Sequence, residues 1–277
     1  MIGLGTNRLS ASRLAGLTSE WQHRNGQWIE RSPYSAAATR ALKAAFSAAQ
    51  WAIIRDYGFA HPALVPFINE DPMLVMSLIE GLGTRWLEVE TVGPYISSGI
   101  TGNGDNRVQL RAYTSSSFAL FGNDISDGGK QYCLMNGGWG ARYGNGGSKQ
   151  KAYNYSGLMD VDFNKNNLYY NDTLLYNFGY ENYDNGLYMP IFAKFRNTNT
   201  GTGGCPIGTK ISYVIISRND ITLRHFVPFI CQARTADKVS TGVAQAAGTC
   251  GMIDLLTGIF YPNANSSGSF TISESPS

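Results

Sequence analysis

A chain of 277 residues, 43% of them hydrophobic, has material for one large β-sandwich and a smaller unit beside it. Its formal charge is only +2, and the excess sits before Trp86, where eight basic residues face six acidic ones; the remainder balances at fourteen of each. Without a clustered basic face to hold a polyanion, nucleic-acid binding is disfavoured, and with no run of eighteen apolar residues, membrane insertion is not expected.

Residues 1–31 are rich in Ser, Gly, Arg and Asn and show no sustained period. They read as a disordered leader or as an arm that orders on a partner surface, and Leu17, Trp21 and Trp28 favour the arm, because an idle leader needs no hydrophobic anchors. The first twenty-five residues carry Arg8, Arg13 and Arg24 and lack the apolar run of a secretory leader, so assembly in the cytoplasm is expected.

From Ser35 to Arg55 an alanine-rich stretch predicts a helix, with Pro33 near its start and Gly58 just past its end. Arg40, Lys43, Ser47 and Gln50 form a narrow wet stripe, leaving a broad apolar surface that includes Phe46 and Trp51. A shorter helix is predicted over Pro72 to Glu80, with Asp71 as its N-cap and Gly81 ending it. Residues 1–85 therefore read as a helical anchor and oligomerisation region, with Leu17, Trp21, Trp28, Phe46 and Trp51 as its contact residues.

From Trp86 the pattern changes to short alternating runs broken by turn residues, the signature of antiparallel strands. The last ninety residues are the clearest. MPIFAKFRN (Met189 to Asn197), GTKISYVIISRNDITLRHFVPF (Gly208 to Phe229) and GMIDLLTGIFYPNANSSGSFT (Gly251 to Thr271) predict a β-sandwich that closes on itself. Within them, Ile211 to Arg218 is apolar on both faces, which predicts a central strand covered on both sides.

These segments also carry a resemblance. WLEVETVGPYISSGI (Trp86 to Ile100), FALFGN (Phe118 to Asn123), DVDFNKNNLYYND (Asp160 to Asp172), PIFAKFRN, LRHFVP (Leu223 to Pro228) and GMIDLLTGIFYPN (Gly251 to Asn263) resemble, in order, successive strands and hairpins of the concanavalin A-like, laminin-G-like jelly-roll domains of gut bacterial and phage proteins. The resemblance spans residues 86–273, about two thirds of the chain. It implies a mainly β, antiparallel jelly-roll sandwich over 86–277, behind the small helical region, and a broad role in glycan or surface binding. It supplies no functional residues, because the family is recognised by its core and turns.

Reaction chemistry finds little support. Glycosidic hydrolysis needs two carboxyl groups about 5 to 9 Å apart, and strand positions two apart provide that. Glu88 with Glu90, and Asp160 with Asp162, qualify by spacing, yet neither continues into the Glu-x-Asp-x-x-Glu run of laminarinase-like enzymes. Solvated strand and turn acidics are the commoner outcome. His23, His61 and His225 are the only histidines, and no nucleophile elbow, zincin helix or phosphate loop is present. GGWGARYGNGG (Gly137 to Gly147) joins no strand to a helix and reads as a mobile loop.

Metal sites fare similarly. Asp160-x-Asp162-x-Asn164 superficially opens like a calcium loop, but Lys165 stands where the tight turn wants Gly, and no Glu occupies the twelfth position. Cys133, Cys205, Cys231 and Cys250 form no CxxC pair, so buried free thiols are expected, with a Cys231–Cys250 bridge left to geometry. No cofactor is expected.

If glycans bind, aromatics should hold them, because a pyranose ring presents an apolar face to Trp or Tyr while amides and carboxylates take its hydroxyls. Trp139, Tyr143, Tyr153 and Tyr155 form one such stretch. Tyr176, Tyr180, Tyr183 and Tyr188, amid Asn177, Asn182 and Asn185, form a second, expected as an exposed loop. Together these features lead to the expectation of a non-enzymatic structural protein of a bacteriophage particle: a fibre, spike, or capsid or tail decoration. Its first 85 residues would dock to other virion proteins or trimerise, and its sandwich would face host-surface glycans. The alternatives are a stand-alone bacterial glycan-binding protein and, behind it, a polysaccharide-cleaving enzyme.

Overall fold

The computed structural model describes residues 85–114, 119–125, 129–135, 137–145, 149–153, 156–199, 204–231 and 233–274, together with 21–24 and 27–30 at the backbone. The chain divides into two compact units, Met1–Gly83 with Leu255–Gly258, and Thr84–Asp254 with Ile259–Ser277. The helices expected at 35–55 and 72–80, and the anchor residues Leu17, Phe46 and Trp51, lie outside the described residues, as do the side chains of Trp21 and Trp28. The described residues before Trp86 include a pairing that the sequence did not announce. β1 (Trp21–Arg24) and β2 (Gln27–Glu30) pair antiparallel, with Trp21 opposite Glu30 and His23 opposite Trp28.

From Trp86 onward the described residues are mainly β. In chain order the strands are β3 (Trp86–Thr91), β4 (Ile96–Asn103), β5 (Asn106–Thr114), β6 (Ala119–Asp124), β7 (Lys130–Met135), β8 (Gly137–Asn145), β9 (Gln150–Tyr153), β10 (Gly157–Asn164), β11 (Asn167–Tyr170), β12 (Thr173–Asn177), β13 (Asp184–Ile191), β14 (Phe195–Arg196), β15 (Lys210–Arg218), β16 (Ile221–Ile230), β17 (Cys250–Asp254), β18 (Phe260–Pro262) and β19 (Ser269–Ser273). One sheet runs β12-β11-β10-β5-β15-β16-β17-β18, with β3 added beside β15 and β19 beside β3. The other runs β4-β13-β6-β7-β8-β9, with β14 added parallel to β6. The expected closure is present: β19 pairs antiparallel with β3, the first strand of the unit, Ile272 opposite Leu87.

Strict alternation explains how the sheets pack. In β5, Val108, Leu110 and Ala112 are buried while Arg107, Gln109, Arg111 and Tyr113 face outward; in β10, Met159, Val161 and Phe163 are buried while Asp160, Asp162 and Asn164 face outward. These inward rows meet Leu120, Phe121, Tyr132, Leu134 and Tyr143 of the second sheet in one continuous core. Phe163 is its hub, stacked on Tyr132 at 4.7 Å between ring centroids and 18° between planes, with Phe121, Tyr143 and Phe178 around it. Two antiparallel sheets covering a shared apolar layer make a β-sandwich-like fold.

Turn chemistry sets the hairpin registers. Asn171 and Asp172 between β11 and β12, and Asn219 and Asp220 between β15 and β16, all have positive φ, the backbone of two-residue turns whose twist suits a hairpin and which Asn and Asp tolerate. The hairpin expected at Asp160 to Asp172 forms with Lys165 and Asn166 at its tip, so that Asp162 sits opposite Tyr169.

Two expectations need correction. β15 is central, between β5 on one side and β16 and β3 on the other, but its outer face is only partly covered, with Tyr213 and Ile215 half-buried. A register shift against β5 between Ile211 and Tyr213 puts Ile211 and Val214, three apart, into the same core. Of the glycine-dense segment read as a loop, Gly137–Asn145 is instead strand β8. Its glycines serve close packing: Gly140 has φ +46, and a Cβ there would lie 1.6 Å from the Lys151 carbonyl oxygen of β9, at a register shift between Gly137 and Ala141.

Candidate ligand-binding surface

The segment after β12 folds back over one end of the sandwich. Phe178 starts it, donating its N–H to the Asn166 carbonyl at 2.8 Å and burying its ring, and Tyr183 ends it, accepting the Gly104 N–H on its carbonyl at 2.9 Å. Tyr143 ties the middle down. Its hydroxyl lies 2.9 Å from both the Gly104 and Glu181 carbonyls and accepts the Glu181 N–H at 3.2 Å. Glu181 in turn pairs with Lys149 and accepts the Asn145 N–H at 2.5 Å; the Lys149 bond, then the Asn145 bond, hold its carboxyl below the usual range.

This anchoring sorts the sequence-predicted tyrosines. Tyr143 is 0% and Tyr183 5% exposed, which corrects the expectation of two ligand-facing rings: both are pegs of the core. Their hydroxyls find buried partners, Tyr183 donating to the Gln131 carbonyl at 2.5 Å, and burial pushes Tyr143 up to about 12 and Tyr183 higher still. Tyr180 is 54% exposed and Tyr176 38% exposed, so these present rings to solvent, as does Tyr188 on β13. Trp139 and Tyr153 lie on β8 and β9, but their side chains, and Tyr155 altogether, fall outside the described residues.

Tyr180 and Tyr176 stand on a polar frame. The Tyr180 hydroxyl donates to Asp105 Oδ1 at 2.9 Å, a bond that raises its own pKa, and Lys165 Nζ approaches the same oxygen at 3.7 Å. Tyr176 packs edge-on against Phe178 at 4.8 Å and lies 5.3 Å from Lys151 Nζ, a cation over its ring. Between them in the chain, Asn177 carries an amide ladder: Asn166 Nδ2 donates to Asn177 Oδ1 at 3.1 Å, Asn177 Nδ2 donates to Asn167 Oδ1 at 2.7 Å, and the Gly179 N–H donates to Asn177 Oδ1 at 2.7 Å. Fixed aromatics beside amides and charges match the composition of adaptable contact surfaces.

A second feature lies on the outward face of the larger sheet. Arg107, Asp162, Asn164, Tyr169 and Asp172 line an open cleft of about 300 Å³. Arg107 Nε donates to Asp162 Oδ1 at 2.9 Å and Nη2 donates to Oδ2 at 2.6 Å, a bidentate pair that holds the guanidinium still more firmly protonated. Tyr169 escaped the sequence reading. Counting back from a two-residue tip at Lys165 and Asn166 would have placed it opposite Asp162, on the outward face.

The carboxylates considered for hydrolysis are engaged by neighbouring side chains. Asp160 pairs with Arg111 at 3.4 Å, Asp162 with Arg107, and Glu88 with Lys210 at 3.6 Å, while Glu90 accepts the Ser269 hydroxyl at 2.9 Å. His225 is buried, its backbone N–H donated to Asp254 Oδ1 at 2.9 Å. All four cysteines are free thiols, Cys250 half-buried and the others buried, so Cys231 and Cys250 do not pair. Among the described residues, no three His, Cys, Asp or Glu side chains converge to hold a metal, and no helix is long and apolar enough to cross a membrane. No protein-family model matches the chain, and no curated protein matches it in sequence.

Proposed function

We propose that this protein is a structural component of a bacteriophage particle, a fibre, spike, or capsid or tail decoration, whose sandwich displays a contact surface to glycans of the host cell or its surroundings. The reading takes the sandwich as a jelly roll of the concanavalin A-like kind, supported by the order of the resembling segments from Trp86 to Asn263. Residues 1–85 serve as the particle-docking or trimerising part, with other virion proteins and further copies of the chain as partners. No cofactor enters this role.

The observation that carries the reading is the Tyr176–Tyr180 surface. Two solvent-facing rings are mounted on buried pegs, Phe178, Tyr183 and Tyr143, so they can meet a ligand with little ordering cost. The neighbouring amides and the Asp105–Lys165 pair supply donors and acceptors for hydroxyls.

The test uses the purified full chain. Light scattering should give a defined oligomer or larger particles, and fluorescently labelled protein should bind bacterial cells or a glycan array. Tyr180→Ala with Tyr176→Ala should weaken that binding by roughly tenfold or more, since each tenfold needs only about 1.4 kcal/mol. A monomer that binds glycans points instead to a stand-alone glycan-binding protein. Binding that survives loss of both rings, or no binding at all, removes the attachment reading.

A further inference from the structure

We infer that the cleft on the outward face of the larger sheet is a separate seat for one ring of a neutral sugar; this rests on the glycan-contact reading above. Four of the five lining residues lie on β5, β10 and β11, with Asp172 added from the β11–β12 turn: Asn164 is opposite Arg107 and Asp162 opposite Tyr169. Its shape is therefore set by sheet register before any ligand arrives.

Size limits the occupant. At about 300 Å³ the cleft stands at the small end of ligand pockets, enough for a single ring with its substituents and too little for a folded peptide or a long chain enclosed along its length.

Charge limits it further. Arg107 contributes +1, Asp162 and Asp172 contribute −1 each, and the sum is −1. A sialic or uronic acid would meet net repulsion. A cationic ligand would meet the Arg107 guanidinium, which its bidentate bond to Asp162 keeps in place. A neutral polyol meets neither penalty.

The functional groups match a vicinal diol. Each sugar hydroxyl both donates and accepts, so it needs both kinds of partner within reach. The Arg107–Asp162 pair uses two of the five guanidinium N–H groups and one lone pair on each carboxylate oxygen, leaving donors and acceptors side by side. Asn164 adds an amide of both characters. Tyr169, half-buried opposite Asp162, adds an aromatic surface for the apolar face of the ring.

The experiment is saturation-transfer NMR and calorimetry on the full chain, with glucose, galactose, mannose, fucose and N-acetylglucosamine as neutral probes and glucuronic and N-acetylneuraminic acids as anionic ones. At least one neutral probe should bind in the millimolar range, ahead of both acids. Tyr169→Ala and Asn164→Ala, each with its melting temperature checked for folding, should weaken that probe by roughly tenfold. No neutral binding, preference for the acids, or indifference to both cleft variants overturns the inference. Two results separate it from the attachment reading. Neutral monosaccharide binding lost with Tyr176 and Tyr180 but kept without Tyr169 removes the cleft alone; a neutral sugar seated at Tyr169 in a protein that binds no cells removes attachment alone.

Discussion

Replacing Tyr132 with phenylalanine removes one oxygen from the centre of the sandwich and leaves the ring stack on Phe163 in place. The side chain is fully buried, and its hydroxyl lies 2.6 Å from the Phe163 carbonyl and 3.0 Å from the Asn106 carbonyl. One proton serves one acceptor at a time, and the shorter contact is with Phe163. The Asn106 carbonyl keeps another partner, the Lys165 N–H at 2.8 Å, so it is not stranded by the change. The Phe163 carbonyl likewise sits in the β10–β5 ladder opposite Val108, so the expected cost is one net hydrogen bond, about 1 kcal/mol. For a unit of roughly 150–250 residues each kcal/mol moves the melting temperature by about 2–4 °C, so Tyr132→Phe should melt about 2–4 °C lower. Near-UV circular dichroism on heating reads the sandwich transition directly. An unchanged or higher melting temperature would refute the reasoning, because it would mean that the hydroxyl bridging β7 to β5 and β10 contributes nothing.

Two further outcomes follow from the same core. Burial holds the Tyr132 and Tyr183 hydroxyls well above the ordinary value of 10.0 and Tyr143 at about 12, so all three bind their protons more tightly folded than unfolded. That stability is fully present below pH 10.0 and is lost as pH rises past it, so urea midpoints should fall between about pH 9 and about pH 11.5, and a flat profile would contradict the burial. Gly140→Ala should cost about 2 kcal/mol or more in urea unfolding, because its φ of +46 and the Lys151 carbonyl 1.6 Å from the new carbon leave no strain-free solution; a neutral effect would place β9 elsewhere.

Strand positions were largely legible because alternation and turn residues are local signals. The runs at Trp86 to Ile100, Asp160 to Asp172 and Gly208 to Phe229 all became strands, and the polar tip at Lys165 and Asn166 fell where its composition put it. Glycine misled the reading of Gly137 to Gly147. Glycine marks both loops and close backbone approach, and what separates the two, the Lys151 carbonyl against Gly140, belongs to the next strand. Tyrosine misled in the opposite sense: in a segment with few aliphatics, Tyr183 looked exposed, yet its carbonyl and hydroxyl bond to Gly104 and Gln131.

The amino-acid order alone determined that an antiparallel β unit begins near Trp86 and that its outward and inward rows alternate, since a two-residue period needs only neighbouring side chains to be read. Tertiary structure alone decided which tyrosines are pegs and which are platforms, and which acidic residues meet an arginine. Tyr143 reaches a carbonyl 38 residues away and Arg107 a carboxylate 55 residues away. Such meetings depend on the order in which strands pair across the sheets, and that order is settled by the packing of the whole core around Phe163 rather than by any one stretch of chain.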